Sequence, residues 1–314
     1  YTIGDVHYVA EEGWLVPAAQ TQFARDAVFG YQASNLRDWV VEKSGGQIAL
    51  PQTTSISLDD IRTGGPDRVT EALLRLEHNA YCVINAVNER DLAVVALAVI
   101  RAEDRGKQFL YRTAASFAAA RAGIALRPLL TAADLNLTGT GGGLVVVGSY
   151  VPKSSQQLKH LLDQPGIVAV EVQVSRLLAE DSYQAEVERV IGAVDEHLRR
   201  NTNVVVYTSR ELVTGSDAAS SLKIGNRVSA GLVAVVRGLH TTPRFLVAKG
   251  GITSSDLATR ALDVRRALVM GQILPGVPVW KLGAESRQPG MAYVVFPGNV
   301  GEANALAQVV EKLQ

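Results

Sequence analysis

The regular alternation of short apolar runs with amphipathic runs of helical period constrains this chain more than any other feature. The apolar run AYCVINA at residues 80–86 precedes the amphipathic run ERDLAVVALAVIRAEDRG at 89–106. The same alternation continues from LVVVGSYV at 144–151 to the closing EANALAQVVEKL. Strands that alternate with helices indicate βαβ units, in which successive strands lie parallel. The pattern therefore predicts an α/β fold in which mainly parallel sheets are flanked by helices.

A glycine-rich run divides this pattern into two parts. Residues 135–143, LNLTGTGGG, combine turn formers with four glycines and show no apolar periodicity, as is typical of a linker. A chain of 314 residues also exceeds the size at which one hydrophobic core usually suffices. We therefore expect two domains, 1–137 and 144–314, each built on a mainly parallel sheet and joined by a linker at 138–143.

Local signals predict several elements within the first domain. The segments HYVA and WLVPA on either side of residues 11–13 predict a β-hairpin. Asn35 has the side chain of a helix N-cap, and Gly45 is placed to end that helix. Pro66 predicts the start of a further helix, and the apolar run QFLYR predicts a short strand at 108–112.

Charge and cysteine content exclude some classes of partner. Lys plus Arg and Asp plus Glu both number 31, so the chain has no net charge with which to attract nucleic acid or an anionic membrane. The single cysteine, Cys82, permits no disulfide within the chain, which favours a reducing compartment. The longest apolar run, 92–100, is too short to cross a bilayer. We expect a cytoplasmic protein, with a homodimer as the default oligomer.

Three junctions in the second domain share one design, in which an apolar strand leads through small residues into a helix. Glycine lets the backbone approach a ligand, and a helix N-terminus offers unpaired N–H groups to phosphate. In a parallel sheet all three turns would meet at the carboxyl edge of the strands, where such sheets bind ligands. The residues concerned are Gly148, Ser149 and Ser154 in the first junction, Gly250, Gly251, Thr253 and Ser254 in the second, and Gly298, Asn299 and Gly301 in the third.

Other nucleotide and catalytic motifs are absent from the sequence. It contains no P-loop and no nucleophile elbow, and TGTGGGL does not fit the dinucleotide fingerprint, which follows a strand. Lys249 could neutralise a phosphate or be a solvated lysine at a strand end. No metal site is predicted, because no metal-ligand spacing links the histidines, His7, His78, His160, His197 and His240.

Polar residues of the first domain fall where apolar runs end. Arg112 follows the predicted strand and precedes a helix start, and there it could bind a carboxylate or phosphate through two hydrogen bonds or form an internal salt bridge. The candidate contacts to an anionic small molecule are His7, Asp26, Asn85, Arg112 and Ser116.

Several segments together resemble the four-carbon acid sugar kinase family, whose relatives are sometimes labelled type III effectors. They are TQFARDAVFGYQASNL, FLYRTAASF, VVVGSYVPKSSQQL, VAKGGITSSDLATRAL, GQILPGVPVW and VVFPGNVGE. The resemblance implies a sugar-acid-binding amino-terminal domain, an ATP-binding carboxyl-terminal domain, and Mg²⁺-supported transfer of phosphate to a terminal hydroxyl of threonate, erythronate or a 3-oxo-tetronate. It implies nucleotide contacts at Ser149, Gly250, Gly251, Ile252, Thr253, Gly298 and Gly301.

The sequence departs from that family in two places. The family's Asp-Asp-x-Thr-Gly-Ala strand end, which the resemblance identifies with the catalytic base, is not present, so we expect the base upstream of Tyr1. On its own, the 314-residue chain is then expected to bind ATP without turnover. Many relatives have Lys-Ser where this chain has Phe296-Pro297, which removes a cation beside the phosphates.

Two other functions remain open at this stage. A two-domain α/β scaffold can be a non-catalytic small-molecule-binding or regulatory module, since the fold alone does not specify the function. A nicotinamide-dependent dehydrogenase is the weaker alternative, because its glycine fingerprint is missing.

Overall fold

The computed structural model describes residues 1–11, 13–25, 30–77, 79–125, 127–135, 137, 141–148, 151–210, 213 and 217–314. The chain divides into two compact units, Tyr1–Leu126 and Arg127–Gln314. Both combine helices with strands, and the second contains a large, mostly parallel sheet, so the predicted α/β class is confirmed. Within the described ranges, no helix has both the length and the apolar character needed to span a bilayer.

The first unit contains an antiparallel sheet and a separate parallel pair of strands. Strands β1 (Thr2–Ile3), β2 (Val6–Glu11) and β3 (Trp14–Pro17) are antiparallel, which confirms the predicted hairpin, and β4 (Thr53–Ile56) pairs in parallel with β5 (Tyr81–Ile84). This arrangement differs from the mainly parallel sheet predicted for this domain. The reason is local, because the two residues between β1 and β2 both have positive φ, as the tightest antiparallel turns require.

Helices pack around the parallel pair of the first unit, and its longer ones begin where the sequence predicts. The side chain of Asn35 accepts hydrogen bonds from the first turn of its helix, and Gly45 follows the helix end with φ of 62°. Apolar residues of β4 and of three helices form the core of this unit. The helices are α1 (Leu36–Lys43), α2 (Leu58–Arg62), α3 (Gly65–Leu74), α4 (Glu89–Asp104) and α5 (Ala115–Arg121).

The strand predicted at 108–112 is wrong. Residues 107–114 have no regular structure, and the side chain of Leu110 is fully exposed. Phe109 and Tyr111 instead join a small aromatic group with Phe117 of α5, with ring centroids 6.4 and 5.7 Å apart. An apolar run becomes a strand only when a partner lies beside it, and none of the described strands pairs with this segment.

The second unit is built on one seven-stranded sheet. Its strands are β6 (Leu144–Val147), β7 (Ile167–Val172), β8 (Asn203–Thr208), β9 (Phe245–Lys249), β10 (Ala267–Leu274), β11 (Val277–Leu282) and β12 (Ala292–Phe296). They lie in the order β10-β11-β12-β9-β6-β8-β7. The five strands from β12 to β7 are parallel to one another. Strand β11 pairs antiparallel with both of its neighbours, β10 and β12. The central strands are fully buried because helices cover both faces.

The helices of this unit are divided between the two faces of the sheet. One core contains side chains from α7 and α12, and the other contains side chains from α9, α10 and the turn after α11. The long helix predicted from about Ala218 is confirmed. The helices are α6 (Ala132–Leu135), α7 (Pro152–Leu162), α8 (Val174–Leu178), α9 (Glu180–Arg199), α10 (Ala218–Gly238), α11 (Gly251–Asp256) and α12 (Ala305–Lys312), with a π-helical turn at Leu257–Ala261.

The predicted linker lies at the start of the second unit. Its residues 138–140 are outside the described ranges. Gly142 and Gly143 are both buried. A Cβ on Gly142 would overlap the backbone of Thr202, and a Cβ on Gly143 would overlap the ring of Phe245. These two glycines are therefore needed for close packing beside β6, whereas the linker prediction invoked only their flexibility.

Candidate functional site

The three predicted junctions lie side by side at one edge of the sheet. Val147, Lys249 and Phe296 end strands β6, β9 and β12 and are register partners across the sheet. Because neighbouring strands lie about 4.8 Å apart, the bends that follow them begin at the same level on adjacent strands. We call residues 148, 250–253 and 297–301 the rim.

After the neighbouring strands β6 and β9, the chain turns towards opposite faces of the sheet. After β6 it enters α7, which packs on one face, and after β9 it enters α11 and the π-helical turn, which packs on the other. The point where neighbouring strands diverge in this way leaves a crevice at the carboxyl ends of the strands, and this is where open α/β sheets bind ligands. The rim therefore occupies the position that the sequence predicts for a ligand site.

Glycine is required at two of the bends by close packing or by conformation. A Cβ on Gly148 would lie 2.3 Å from Oγ1 of Thr253, so the first bend touches the second. Gly250 has φ of 116°, a conformation that other residues rarely adopt. Its N–H donates to the carbonyl oxygen of Phe296 at 2.8 Å, which joins the second bend to the third strand.

Two buried polar side chains of α7 reach the third bend. Ser154 Oγ lies 3.4 Å from the carbonyl oxygen of Gly298. Gln157 Nε2 donates to the carbonyl oxygens of Val300, Gly301 and Glu302 at 3.0, 3.2 and 2.9 Å. These contacts fix the path of residues 298–302. Both side chains bind carbonyl oxygens of this bend and none of its backbone N–H groups.

Lys249 is completely buried at the end of β9. Its Nζ donates to the carbonyl oxygens of Pro297 and Gly298 at 2.7 and 3.2 Å and lies 4.2 Å from the ring centroid of Phe296. Burial, with a smaller contribution from the nearby charge of Lys153, lowers the pKa of its ammonium group to about 7. The alternative of a solvated lysine is therefore wrong.

Two cationic residues near the rim, Lys153 and Arg210, are not among those predicted from the sequence. Lys153 is in the first turn of α7. Arg210 follows β8, where its guanidinium donates to the carbonyl oxygen and Oγ1 of Thr208 and lies 3.5 Å from the carbonyl oxygen of Val147. The signal was present in both cases, since each residue comes just after a buried strand or opens the next helix.

The turn that begins at Gly250 exposes its next two residues, Gly251 and Ile252. Ile252 is 75% exposed, whereas Thr253 is buried and faces Gly148. Ser254 is buried and donates to the carbonyl oxygens of Ala248 and Gly250 at 2.9 and 2.6 Å, so it stabilises the turn from within. Ser149 lies outside the described residues, and its nucleotide contact stays a prediction, as do those of the other rim residues.

In the first unit, Asn85 is used inside the protein. Its Nδ2 donates to Oδ1 of Asp5 and to the carbonyl oxygen of Ile56, and its Oδ1 accepts from the N–H of Asp5, all at 2.8 to 2.9 Å. Its side chain is 1% exposed. Asn85 therefore holds the β1–β2 turn against the end of β4, and this structural role accounts for its side-chain contacts.

Three other candidate residues of the first unit, His7, Arg112 and Ser116, are at the surface. His7 lies on β2 with Nδ1 3.0 Å from Oγ1 of Thr2, and Ser116 is exposed in the first turn of α5. The guanidinium of Arg112 stacks on the ring of Trp39, 4.6 Å from its centroid. Asp26 lies outside the described residues. The structure does not gather these residues into one described cluster, and their substrate role stays a prediction.

No resident metal site is seen in the described part of the chain, where no group of three or more His, Cys, Asp or Glu side chains is placed to hold an ion.

Comparison with known proteins adds direct evidence on the class of the two units. A model of a nucleotide-binding C-terminal domain matches residues 144–306, and a model of a sugar-binding N-terminal domain matches residues 1–121. A 3-oxo-isoapionate kinase of Paraburkholderia graminis is 28% identical over 179 residues, which is 53% of this chain. The aligned part spans 38% of that relative's length.

Two solved structures share the fold. A Salmonella typhimurium LT2 protein provisionally named a tRNA synthase superposes with a TM-score of 0.63 at 17% identity, over 96% of this chain and 69% of that one. A Haemophilus influenzae protein of a domain family of unknown function superposes with a TM-score of 0.57 at 17% identity, over 100% of this chain and 71% of that one. At this identity the likeness establishes the fold alone.

The fold and the matched domains define a class of two-unit α/β proteins in which a sugar-binding domain precedes a nucleotide-binding domain. The chain belongs to the four-carbon acid sugar kinase family. This confirms the resemblance seen in the sequence.

Proposed function

We propose that the second unit binds the polyphosphate of ATP at the rim, and that the protein containing this chain phosphorylates a sugar acid. The observation that carries the proposal is the placement of three glycine bends at the ends of adjacent strands β6, β9 and β12, at the point where the following helices diverge. The match of residues 144–306 to a nucleotide-binding domain supports it independently.

The rim has the chemistry that a polyphosphate needs. Backbone N–H groups in the first turn of a helix lack intrahelical acceptors, and those of residues 251–253 open α11 and its continuation. Lys153 and Arg210 add positive charge near the same edge. Phosphoryl transfer requires mainly positioning and charge stabilisation, so Mg-ATP held by these groups would be oriented with its phosphates over the crevice.

The acceptor we propose is a terminal hydroxyl of a four-carbon sugar acid of the threonate, erythronate or 3-oxo-tetronate class. Support comes from the match of residues 1–121 to a sugar-binding domain and from a relative named for a sugar-derived acid. Arg112 is the residue best suited to the carboxylate, because stacking on Trp39 engages the face of its guanidinium, whereas a carboxylate binds at the edge. His7, Asp26 and Ser116 are proposed to contact the hydroxyl groups.

Calorimetric titration with Mg-ATP and with each tetronate tests the proposal, followed by an assay for ATP-dependent phosphorylation with the full-length protein. We expect Mg-ATP to bind to the chain, and Arg112→Met to weaken binding of the acid while leaving ATP affinity unchanged. Failure of Mg-ATP to bind, together with binding of another small molecule, would instead favour a non-catalytic binding module.

A further inference from the structure

Lys249 differs from a surface lysine in having its whole side chain enclosed beneath the rim. Its Nζ contacts the carbonyl oxygens of Pro297 and Gly298, and the ring of Phe296 lies against it at 4.2 Å. Phe296 is also the register partner of Lys249 in the neighbouring strand. The side chain therefore crosses from β9 to β12 and ties the second bend to the third.

The charges around this ammonium group are unbalanced. Helix α7 contributes the positive charge of Lys153, and Arg210 lies one strand beyond β6. The carboxylate of Asp256 in α11 is engaged by Ser229 and Arg260. Within the described ranges, no carboxylate forms an ion pair with Lys249, and the segment after β12 offers it only carbonyl oxygens.

These surroundings favour the neutral amine of Lys249 when the rim is empty and its protonated form when an anion binds there. Burial and a like charge both oppose the ammonium form, and together they lower the pKa of Lys249 to about 7. A polyphosphate on the rim would add negative charge close to Nζ, in surroundings where charges are poorly screened. The pKa would then rise, and a proton from solvent would bind.

We propose, resting on the nucleotide site proposed above, that Lys249 is a positioning residue that takes up a proton when a polyphosphate occupies the rim. In its charged form it holds the Pro297 and Gly298 carbonyls more firmly, and so fixes the third bend around the phosphates. Nucleotide binding and proton uptake are coupled through this one side chain, and affinity for ATP rises as pH falls from about 8 to about 7.

The experiment is calorimetric titration of the chain with Mg-ATP between pH 6.5 and 8.5, in buffers of different ionisation enthalpy, which reports the protons taken up per nucleotide bound. For the unmodified chain, uptake approaching one proton is expected near pH 8, with an affinity change of up to about tenfold per pH unit. Protonation of ATP itself is common to all variants and cancels in the comparison.

Three variants isolate Lys249. Lys249→Met removes the titrating group, so proton uptake should fall to the level due to ATP alone. Lys153→Met removes the neighbouring positive charge without altering the buried site, so Lys249 is protonated more fully before binding and uptake at pH 7.5 should decrease. Lys159→Met, an exposed position on the same helix, should change nothing.

The outcomes separate this inference from the proposed function. Mg-ATP binding with the same proton uptake in the unmodified chain, Lys153→Met and Lys249→Met would overturn the role of Lys249 and leave the nucleotide site intact. If Lys249→Met does not fold, equal uptake in Lys153→Met and the unmodified chain is sufficient to overturn it. Absence of Mg-ATP binding at every pH would overturn both.

Discussion

The α-carbon of Gly148 faces the hydroxyl of Thr253 so closely that a Cβ at position 148 would lie 2.3 Å from Oγ1. These residues belong to different bends, one after β6 and the other after β9, and they are 105 positions apart by their numbers (253 − 148). Their contact brings two glycine turns into one site, and it makes the shape of that site sensitive to a single methyl group.

Gly148→Ala should therefore destabilise the second unit. The added methyl would overlap Thr253 and touch Leu232 at 3.0 Å, and overpacking of this kind costs about 1–3 kcal/mol. Denaturant unfolding measures the loss. The matched control is Gly192→Ala in α9, where a Cβ meets nothing within 4 Å, and there a gain of up to about 1 kcal/mol is expected. Equal stability of the two variants would contradict the packing described here.

Gly251→Ala should separate ligand binding from folding. Gly251 is exposed, has no positive φ, and has open space where a Cβ would be. The methyl group should leave the free energy of unfolding nearly unchanged, but it would occupy space next to the first N–H groups of α11. We expect affinity for Mg-ATP to fall by roughly tenfold, or about 1.4 kcal/mol. Unchanged affinity would show that the nucleotide does not approach this turn.

Gln157→Leu should loosen the third bend. The buried Nε2 of Gln157 donates to three successive carbonyl oxygens, those of residues 300–302. Removing the buried amide that pairs with these partly buried carbonyl oxygens costs about 1–3 kcal/mol, so thermal and denaturant unfolding should both show a loss. The neighbouring Gln156 is exposed, and Gln156→Leu should have little effect. A loss of similar size in both variants would rule out a specific role for Gln157.

The stability of the second unit should rise with pH above neutrality because of Lys249. Its pKa is about 7 in the folded chain, below the usual 10.4 of an unfolded lysine. Between those values the unfolded state binds more protons, so the free energy of unfolding increases with pH, by at most about 1.4 kcal/mol per unit. Lys249→Met should have a flatter dependence between pH 7 and 9. Parallel curves for the two proteins would be evidence against the lowered pKa.

In the first unit, Asp91 should contribute stability that is lost in acid. Arg62 donates to both of its carboxylate oxygens at 2.9 Å and, with two backbone N–H groups, lowers the pKa of Asp91. The contribution is therefore present above the usual pKa and disappears as pH falls through the lowered one. Asp91→Asn should cost about 1–3 kcal/mol at pH 7.

The control for Asp91 is the Asp67–Arg101 pair. Asp67 is 87% exposed at its side chain, and surface pairs contribute little. Asp67→Asn should have nearly the same free energy of unfolding as the unmodified chain at each pH. A larger effect at Asp67 than at Asp91 would contradict the stabilising role given to the buried carboxylate of Asp91.

The fold of the second unit and the location of the rim could be predicted from local sequence, whereas the surroundings of Lys249 could not. Glycine at 148, 250 and 298 and the apolar runs before them specify strand, bend and helix with few neighbours involved. The burial of Lys249 depends on Phe296 at the end of another strand and on Pro297 just after it, so its own position at a strand end left both a phosphate contact and a solvated lysine open. The segment 108–112 failed as a strand for the same reason, because pairing depends on residues elsewhere.

The contacts of individual polar side chains were harder to predict than the fold. Asn85 follows an apolar run, as a ligand contact would, but the turn at Asp5 uses its side-chain amide. That turn is remote in sequence, and nothing near Asn85 signals it. Arg210 likewise comes directly after a strand, but only the pairing of β8 with β6 places it near the end of β6.

Hydrogen–deuterium exchange of the chain with and without Mg-ATP tests most directly whether the nucleotide occupies the rim. Protection is expected in the peptides that contain residues 148, 250–253 and 297–301, with little change along β10 and β11 at the far edge of the sheet. Protection confined to other segments, or none at saturating Mg-ATP, would contradict a polyphosphate site at these three bends.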